Sequence, residues 1–206
     1  MNMIRETAYD EVFDAQMHFR SLLDSMARPG KINNLAPVTL TPPPGLNAAT
    51  VMTALSLMNG DVSFYAAHDE HGESAYLAAN TRAAISPTET ATFLFAHGTD
   101  GAEVLESANC GTLTYPDTSA TLVLQLDAAS AEPLSGGLRL AIEGPGVDGR
   151  KELYVRGLNP DLLLALQARN AEFPLGIDTF LTFSEPNGGP AVVGLPRTAK
   201  VAWEAC

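Results

Sequence analysis

The sequence has few cysteines, few lysines and little positive charge, and each shortage excludes a class of protein. Its 206 residues include two cysteines, Cys110 and Cys206, which are too few for the disulfide framework of a small secreted domain. Apolar residues make up 46% of the chain and charged residues 17%, a composition typical of a globular protein. We therefore expect a single domain over residues 1–206, with reduced thiols.

The shortage of positive charge excludes nucleic acid as a partner. Twelve lysines and arginines stand against 24 acidic residues, which gives a net charge of −12. Phosphate backbones are bound by clustered basic side chains, and no such cluster is present in the sequence. The three lysines, Lys31, Lys151 and Lys200, all lie in polar surroundings rather than in the apolar setting of a Schiff-base amine.

Long apolar runs are also missing. Nowhere do 18 apolar residues follow one another, so the sequence predicts no membrane-spanning helix. The opening residues Met1 to Glu6 lack the basic start and apolar stretch of a signal peptide. The sequence therefore predicts a soluble, cytoplasmic protein without contact to a membrane.

Three strong helix signals are present. Apolar residues recur at three- and four-residue spacing from Asp10 to Met26, with Asp10 as the expected N-cap. Asn47 is placed to cap a second helix through Leu57, and Asn159 precedes a proline at the first position of a third. The apolar stripe of the first helix consists of Val12, Ala15, Phe19, Leu22, Leu23 and Met26.

Strand-like runs occupy the middle and the end of the chain. The run 121–126 is almost continuously apolar, which is typical of a strand covered on both faces, whereas 138–143 alternates and predicts one face in water. The turn at 186–189 predicts a hairpin between its flanking strands. Further strands are predicted at 62–66, 92–95, 178–183, 191–195 and 198–203. Together with the helices they indicate a single mixed α/β domain, a mixed sheet flanked by helices on both faces.

The glycine-rich stretch Gly144 to Gly149 has the spacing of a dinucleotide-binding loop. That mechanism also needs a helix to follow the glycines, because the helix N-terminus holds the pyrophosphate. Here residues 150–155 look extended, so we interpret the stretch as a turn between strands. Neither a phosphate-binding P-loop nor a nucleophile elbow occurs in the sequence.

Histidine and cysteine positions give no catalytic or metal-binding pattern. His68 and His71 lie in an acidic loop, and His97 precedes a glycine after an apolar strand, where we expect a turn histidine. Cys110 has no cationic neighbour in sequence to lower its pKa, so we interpret it as structural. The sequence therefore predicts no catalytic residue, no metal site and no cofactor.

Two arginines beside prolines remain as candidate binding residues. Arg28 ends the first helix, and Arg197 joins the last two strands. A guanidinium held by a rigid turn suits an anion, because its planar fork matches phosphate oxygens. The alternatives are equally physical: Arg28 at a helix C-terminus complements the helix dipole, and Arg197 pairs with a carboxylate.

Four stretches together resemble one family, the PhnH proteins, in the right order and over nearly the whole chain. The first stretch is the helix and turn 19–30, and the last two are the segments 173–178 and 195–198. The middle is represented by Gly111, by Tyr115-Pro116-Asp117 and by the strand 121–126. PhnH proteins are subunits of the bacterial carbon–phosphorus lyase system for the use of alkylphosphonates.

The resemblance implies a fold like a truncated pyridoxal-phosphate-dependent transferase without its cofactor site. It also implies a homodimer that joins the other core subunits of the carbon–phosphorus lyase complex. That assembly couples a phosphonate to the ribose of ATP and forms a ribose 1-phosphonate 5-triphosphate. The resemblance supplies no catalytic residue for this subunit.

We interpret the chain as an assisting subunit, with two alternatives: an enzyme subunit with its own nucleotide or anion pocket, and a free-standing anion-binding protein. As a hypothesis, Asp178 and Arg197 lie together at the ends of adjacent strands and line an assembly surface or an anion pocket. The segment 173–176 before them predicts a type I turn, with proline second and glycine fourth.

Overall fold

A computed structural model describes residues 5–206. Residues 1–4, on which part of the prediction about a signal peptide rests, lie outside the described residues. The helices are α1 (Phe13–Ala27), α2 (Ala48–Leu57), α3 (Glu73–Thr81), α4 (Glu103–Glu106) and α5 (Pro160–Arg169). The strands are β1 (Asn33–Asn34), β2 (Ser63–Ala66), β3 (Ala84–Ile85), β4 (Phe93–His97), β5 (Thr121–Gln125), β6 (Ala128–Ser130), β7 (Leu138–Glu143), β8 (Lys151–Arg156), β9 (Asp178–Ser184), β10 (Pro190–Leu195) and β11 (Lys200–Ala205).

The strands form two sheets rather than the one that the sequence predicts. The larger sheet has the order β1-β10-β9-β5-β4-β2-β3 and is mixed: β9, β5, β4, β2 and β3 pair in parallel, whereas β10 runs antiparallel to both of its neighbours, β9 and β1. The smaller sheet has the order β11-β7-β8-β6 and is antiparallel. The last strand β11 pairs with β7 across 57 or more residues of chain, a pairing that local sequence does not specify.

Layers cover both faces of the larger sheet, as the sequence predicts. One face packs against α1, α2 and α3. The other face shares its core with α4, α5 and the smaller sheet, where Leu122 and Leu124 of β5 join Leu140 of β7. Val123 of β5 points to the opposite cluster, so β5 is covered on both faces. The mixed α/β architecture is confirmed.

Helix α1 buries a narrower face than its periodicity predicts. Leu22 of the predicted stripe is buried, but Val12, Phe19 and Leu23 are exposed. His18 is fully buried on the inner face instead, where its ring hydrogen-bonds to the backbone carbonyl of Ala36. Periodicity predicts the helix but does not tell which side of it faces the core.

Local signals with a capping or turn mechanism are confirmed. The side chain of Asn47 accepts the amide of Thr50 at the start of α2, and Asn159 caps α5 in the same way. The hairpin of β9 and β10 forms around the predicted turn. The glycine-rich stretch joins β7 to β8, with no helix after it, so it lacks the geometry of a dinucleotide site.

The alternation of β7 is confirmed: Leu140 and Ile142 lie in the core, whereas on the opposite face Arg139 is partly exposed and Glu143 is exposed, although Ala141 between them is buried. One local prediction is wrong. The segment at Pro174 is not a type I turn: the Phe173–Pro174 peptide bond is cis, and the turn closes from the amide of Leu175 to the carbonyl of Glu172. Within residues 5–206 no helix is both long and apolar enough to cross a membrane.

Candidate functional site

The predicted binding residues Asp178 and Arg197 do lie together. Asp178 begins β9, and Arg197 follows the end of β10. These strands are antiparallel neighbours with Leu195 opposite Thr179, so the two side chains meet at one end of the hairpin. The Nη2 of Arg197 is 2.7 Å from Oδ2 of Asp178. We call this place the arginine corner.

All five guanidinium hydrogens at the arginine corner have acceptors. The Nε and one Nη2 hydrogen of Arg197 bind the carboxylate of Asp178. The second Nη2 hydrogen binds Oγ of Ser119 at 2.6 Å, and Nη1 binds the carbonyls of Pro116 and Pro174 at 2.9 and 3.2 Å. The side chain therefore joins three separate segments of the chain.

Because every guanidinium hydrogen of Arg197 is already bound, the arginine corner is poorly suited to serve as the predicted anion pocket. An incoming phosphate would have to displace an acceptor that Arg197 already holds, because no guanidinium hydrogen is left over. The corner is thus suited to fixing the loop at Pro116 and the turn at Pro174 in one arrangement. A binding role for Asp178 and Arg197 stays a prediction.

A groove of about 730 Å³ runs beside the arginine corner. Arg197 and Phe173 form one wall, and the edge strand β11 forms another with Lys200 and Val201. Arg150 adds a second exposed positive charge to the lining. The lining is mostly apolar and carries Arg150 and Lys200 together with the carboxylate of Glu143, so the net positive charge open to an anionic ligand is small.

Arg28, the third predicted binding residue, lies elsewhere. It follows the last residue of α1, where its guanidinium pairs with Asp24, and its side chain is exposed. It does not line the groove beside the arginine corner. The ion pair and the position at a helix C-terminus account for the residue structurally, and its binding role stays a prediction.

Polar side chains form a row across the carboxyl ends of the parallel strands. The register of the sheet pairs His97 with Gln125 and Gln125 with Thr182, and continued by two residues it sets His68 beside His97. The rings of the two histidines are in contact, with centroids 4.6 Å apart and planes tilted by 39°. We call His68, His97, Gln125 and Thr182 the strand-end row. The carboxyl ends of parallel strands are where open α/β sheets bind ligands.

Three members of the strand-end row hold the start of α2. The Nε2 of His97 lies 2.9 Å from the carbonyl of Gly45, which can only accept, so this nitrogen carries a hydrogen. Gln125 accepts the amide of Asn47 at 2.7 Å, and the hydroxyls of Thr50 and Thr182 are 2.7 Å apart. These contacts leave a space of only about 10 Å³ under the loop.

His68 is the exception in the row, because its side chain is 40% exposed. Its Nε2 lies 2.7 Å from Oδ1 of Asp100, whose other oxygen accepts the amide of His97 at 2.8 Å. Asn159 in turn donates to the carbonyl of Asp100, so the loop that carries this carboxylate is fixed. His68 and Asp100 line a further cavity of about 320 Å³.

A buried carboxylate lies under the same loop. Burial raises the pKa of Glu73, but the amides of Glu73 and His71 and the His71 imidazole outweigh burial, so this pKa lies below its ordinary value. Its carboxylate also occupies the space in which a side chain at position 45 would stand, so a larger residue there would have to displace the Glu73 carboxylate. Glu73 thus stabilises the start of α3 and the loop in its ionised form.

Comparison with known proteins decides the family. Residues 7–202 match the model of the bacterial phosphonate metabolism protein PhnH. The chain belongs to the PhnH family. Among its relatives, the alpha-D-ribose 1-methylphosphonate 5-triphosphate synthase subunit PhnH of Rhizobium meliloti (strain 1021) is 38% identical over 200 residues, covering 95% of this chain and 94% of that protein. HtxG of Stutzerimonas stutzeri, which carries the name of a C–P lyase subunit protein, is 28% identical over 187 residues, or 90% and 85% of the two chains.

The sequence alone does not predict that the residues of the strand-end row lie together in the PhnH fold. His68 and His97 looked like loop and turn histidines because they are 29 residues apart, and only the parallel pairing of β2 with β4 makes them neighbours. Both follow apolar runs that form adjacent parallel strands, and that was the signal available. Among residues 5–206, no group of three or more His, Cys, Asp or Glu side chains is arranged to hold a metal ion.

Proposed function

We propose that this PhnH chain is a subunit of an alpha-D-ribose 1-methylphosphonate 5-triphosphate synthase in the carbon–phosphorus lyase route of alkylphosphonate breakdown. The observation that carries the proposal is the 38% identity, over 95% of the chain, to a relative with that name. In this role the chain works in the cytoplasm beside the other core subunits, assists the joining of ATP and phosphonate, and has no catalytic residue of its own.

Exposed apolar side chains on α1 support a role in assembly. Four residues of α1 and the residue just before it are large and exposed: Phe13, Met17, Phe19, Leu23 and Val12. Exposed apolar patches on otherwise polar proteins mark contact surfaces. We call these five residues the α1 outer face, and we assign it to contacts with a sister subunit or with a second copy in a homodimer.

The arginine corner carries a second apolar surface. Leu113 and Tyr115 precede the Pro116 carbonyl that Arg197 holds, and Phe173 precedes Pro174, which Arg197 also holds. All three are exposed, with Phe173 at 71%. A rigid support under aromatic side chains is what a protein contact needs, because little conformational entropy is then lost on binding.

A relation to truncated pyridoxal-phosphate-dependent transferases belongs to the same proposal. The parallel strands, with α1, α2 and α3 on one face and α4, α5 and the smaller antiparallel sheet on the other, are compatible with such an origin. The surroundings of the lysines favour no cofactor: Lys31 pairs with Asp24 at 2.7 Å, and Lys200 is exposed on an edge strand.

Growth on methylphosphonate as the sole phosphorus source tests the proposal. Deleting the gene should abolish growth on methylphosphonate but not on inorganic phosphate, and the wild-type chain should restore it. Replacing both Phe13 and Leu23 by serine should slow the restored growth, whereas Leu164→Ser, an equally exposed leucine on α5, should not. Undiminished growth of the deletion strain on methylphosphonate would exclude the proposed role.

The groove favours a second candidate, an enzyme subunit with its own anion pocket. Arg150 and Lys200 bring positive charge to a groove large enough for a nucleotide. In that case the purified chain alone should bind ATP, and the double replacement of Arg150 and Lys200 by alanine should abolish binding. Conversion of ATP and methylphosphonate by the isolated chain would place this candidate above the first.

A further inference from the structure

The cavity at His68 differs from the rest of the strand-end row because its polar groups are not consumed by the protein. Among the described residues, Nδ1 of His68 has no hydrogen-bond partner, while Nε2 is bound to Asp100. The side chains of Tyr65, Thr88 and Glu103 line the same cavity and make no hydrogen bond within residues 5–206. Polar side chains that surround a cavity without protein partners are available to a ligand.

The hydrogen bond to Asp100 fixes the tautomer of the neutral His68 ring. A carboxylate accepts hydrogen bonds, so the neutral imidazole carries its hydrogen on Nε2 and presents the lone pair of Nδ1. The ring of His97 lies against it, with centroids 4.6 Å apart, and is itself held by the carbonyl of Gly45, so rotation of the His68 ring is restricted. His68 is therefore a positioned hydrogen-bond acceptor at the edge of the cavity.

Asp100 is equally well positioned. The amide of His97 binds its second oxygen, and Asn159 binds its backbone carbonyl. At Gly98, between these groups, any Cβ would stand 2.1 Å from the carbonyl of Gly157. The loop therefore needs glycine there, and the close approach fixes the carboxylate relative to His68.

The chemistry of the lining selects the ligand. Asp100, Glu103 and Nδ1 of His68 are acceptors, and the hydroxyls of Tyr65 and Thr88 both accept and donate. Among the described residues that line the cavity there is no lysine or arginine, so a phosphate or phosphonate group would face two carboxylates without a counter-charge. The cavity of about 320 Å³ suits a group that is uncharged and rich in hydroxyl donors.

We propose that the cavity lined by His68, Asp100, Tyr65 and Glu103 is a binding site for the hydroxyl-bearing sugar part of a ligand, with His68 Nδ1 accepting a hydroxyl hydrogen. The site lies apart from the groove at the arginine corner, and none of its lining residues is shared with that groove. The choice of ribose as the sugar rests on the proposed function, since a ribose compound is named for the 38% identical relative.

Nitrogen-detected NMR of the full-length chain tests the site. Uniformly ¹⁵N-labelled protein is titrated with adenosine, and the ring nitrogens of the four histidines are followed in long-range ¹H–¹⁵N spectra. Adenosine should shift the His68 resonances in a saturable way. A comparison with 2′,3′-dideoxyadenosine, which lacks the 2′- and 3′-hydroxyls of the ribose and keeps the 5′-hydroxyl, should show binding weaker by about tenfold, the loss expected for a hydrogen bond in a cavity.

Matched variants separate the site from general effects. His68→Phe keeps the ring and removes both nitrogens, and it should weaken adenosine binding by about tenfold or more, measured by calorimetry. Asp100→Asn should also weaken it, because the one amide oxygen stays with the His97 amide and the amide nitrogen then faces Nε2 of His68, which no longer holds its hydrogen there. His71→Phe, an exposed neighbour outside the cavity, should leave the affinity unchanged.

Three results would overturn the proposal: no saturable shift of His68, equal affinity for the dideoxy compound, or a larger shift with inorganic phosphate than with adenosine. The subunit role is judged separately by growth. If adenosine fails to bind but the growth test succeeds, the cavity proposal alone is wrong. If adenosine binds while deletion leaves growth unaffected, the cavity proposal stands and the proposed role is wrong.

Discussion

Two hydrogen-bonded pairs of ionisable side chains lie at strand ends, Arg197 with Asp178 and His68 with Asp100, and they differ in how completely their hydrogen bonds are satisfied. At the arginine corner every guanidinium hydrogen of Arg197 has an acceptor, and the side chain ties three segments together. At the strand-end row, His68 binds Asp100 with one nitrogen and leaves the other without a partner among residues 5–206. A saturated pair indicates a structural clamp, whereas an unsaturated pair beside a cavity indicates a site.

The comparison also reverses the ranking that the sequence favours. Arginine beside proline looks like an anion hook, and histidine in an acidic loop looks like solvated surface. The fold supplies Arg197 with five acceptors from distant parts of the chain and supplies His68 with a cavity. Residue type therefore indicates what a side chain is able to do, and the local supply of partners determines what remains for a ligand.

Replacing Arg197 by alanine should produce the largest effect on stability. The change leaves Asp178, Ser119 and the carbonyls of Pro116 and Pro174 without their donor. Removing one partner of a largely buried ion pair costs about 3–5 kcal/mol. Urea denaturation followed by circular dichroism measures the loss.

The control for this variant is Arg150→Ala, in the same groove but exposed and without an ion pair among the described residues. It should change stability by less than about 0.5 kcal/mol. Arg197→Lys should behave more like the alanine variant than like the wild type, because a lysine cannot present five donors in a fork. Equal stability of the Arg197 and Arg150 variants would show that the corner is not a clamp.

Glu73→Gln should have an intermediate effect that depends on pH. The pKa of Glu73 is lowered in the folded state, so its carboxylate contributes stability above the unfolded pKa of about 4.3, and that contribution is lost as the pH falls through the folded pKa. At neutral pH the variant should be less stable by about 1–3 kcal/mol, since buried amides lose a charged acceptor. Thermal melts of both proteins from neutral to acid pH should show the two Tm values converging.

A Tm difference between the two proteins that stayed constant on acidification would contradict this assignment, because a loss of packing alone does not depend on pH. Glu103→Gln provides the control: it changes an acidic side chain that makes no hydrogen bond within the described residues. Its Tm should follow that of the wild type at every pH.

Asp100→Asn should have the smallest effect on stability, under about 1 kcal/mol. Its partner His68 is 40% exposed and regains hydrogen bonds to water, and the amide of His97 keeps an oxygen acceptor. Asp178→Asn should cost several times more, because Arg197 is mostly buried. Urea denaturation of both variants measures the loss of stability for each pair. Equal losses would contradict the difference between the two pairs that is drawn above.

The sequence predicts those parts of the fold whose cause is local. Asn47 and Asn159 predict helix starts because their side chains accept hydrogen bonds from backbone amides two or three residues further along the chain. The turn at 186–189 predicts the hairpin of β9 and β10. The division into two sheets is not predictable in this way, since β11 pairs with β7, a strand that is distant in sequence, and no local signal specifies that pairing. The orientation of α1 is not predictable either, since its periodicity does not tell that Phe19 and Leu23 face outward.

The candidate sites follow the same rule. The proximity of Asp178 and Arg197 was predictable, because both flank strands of one hairpin. The strand-end row was not, because it depends on the parallel register that aligns His68, His97, Gln125 and Thr182 from four strands. Parallel partners are joined by long connections, so their register is fixed by the packed sheet rather than by a turn.

The native mass spectrum of the tagged chain, purified from its own cells grown on methylphosphonate, tests the central claim most directly. If this PhnH-family chain acts as an assisting subunit, the spectrum should be dominated by a complex that contains it together with the other carbon–phosphorus lyase subunits. A spectrum that held only the chain by itself, as monomer or homo-oligomer, would contradict the account.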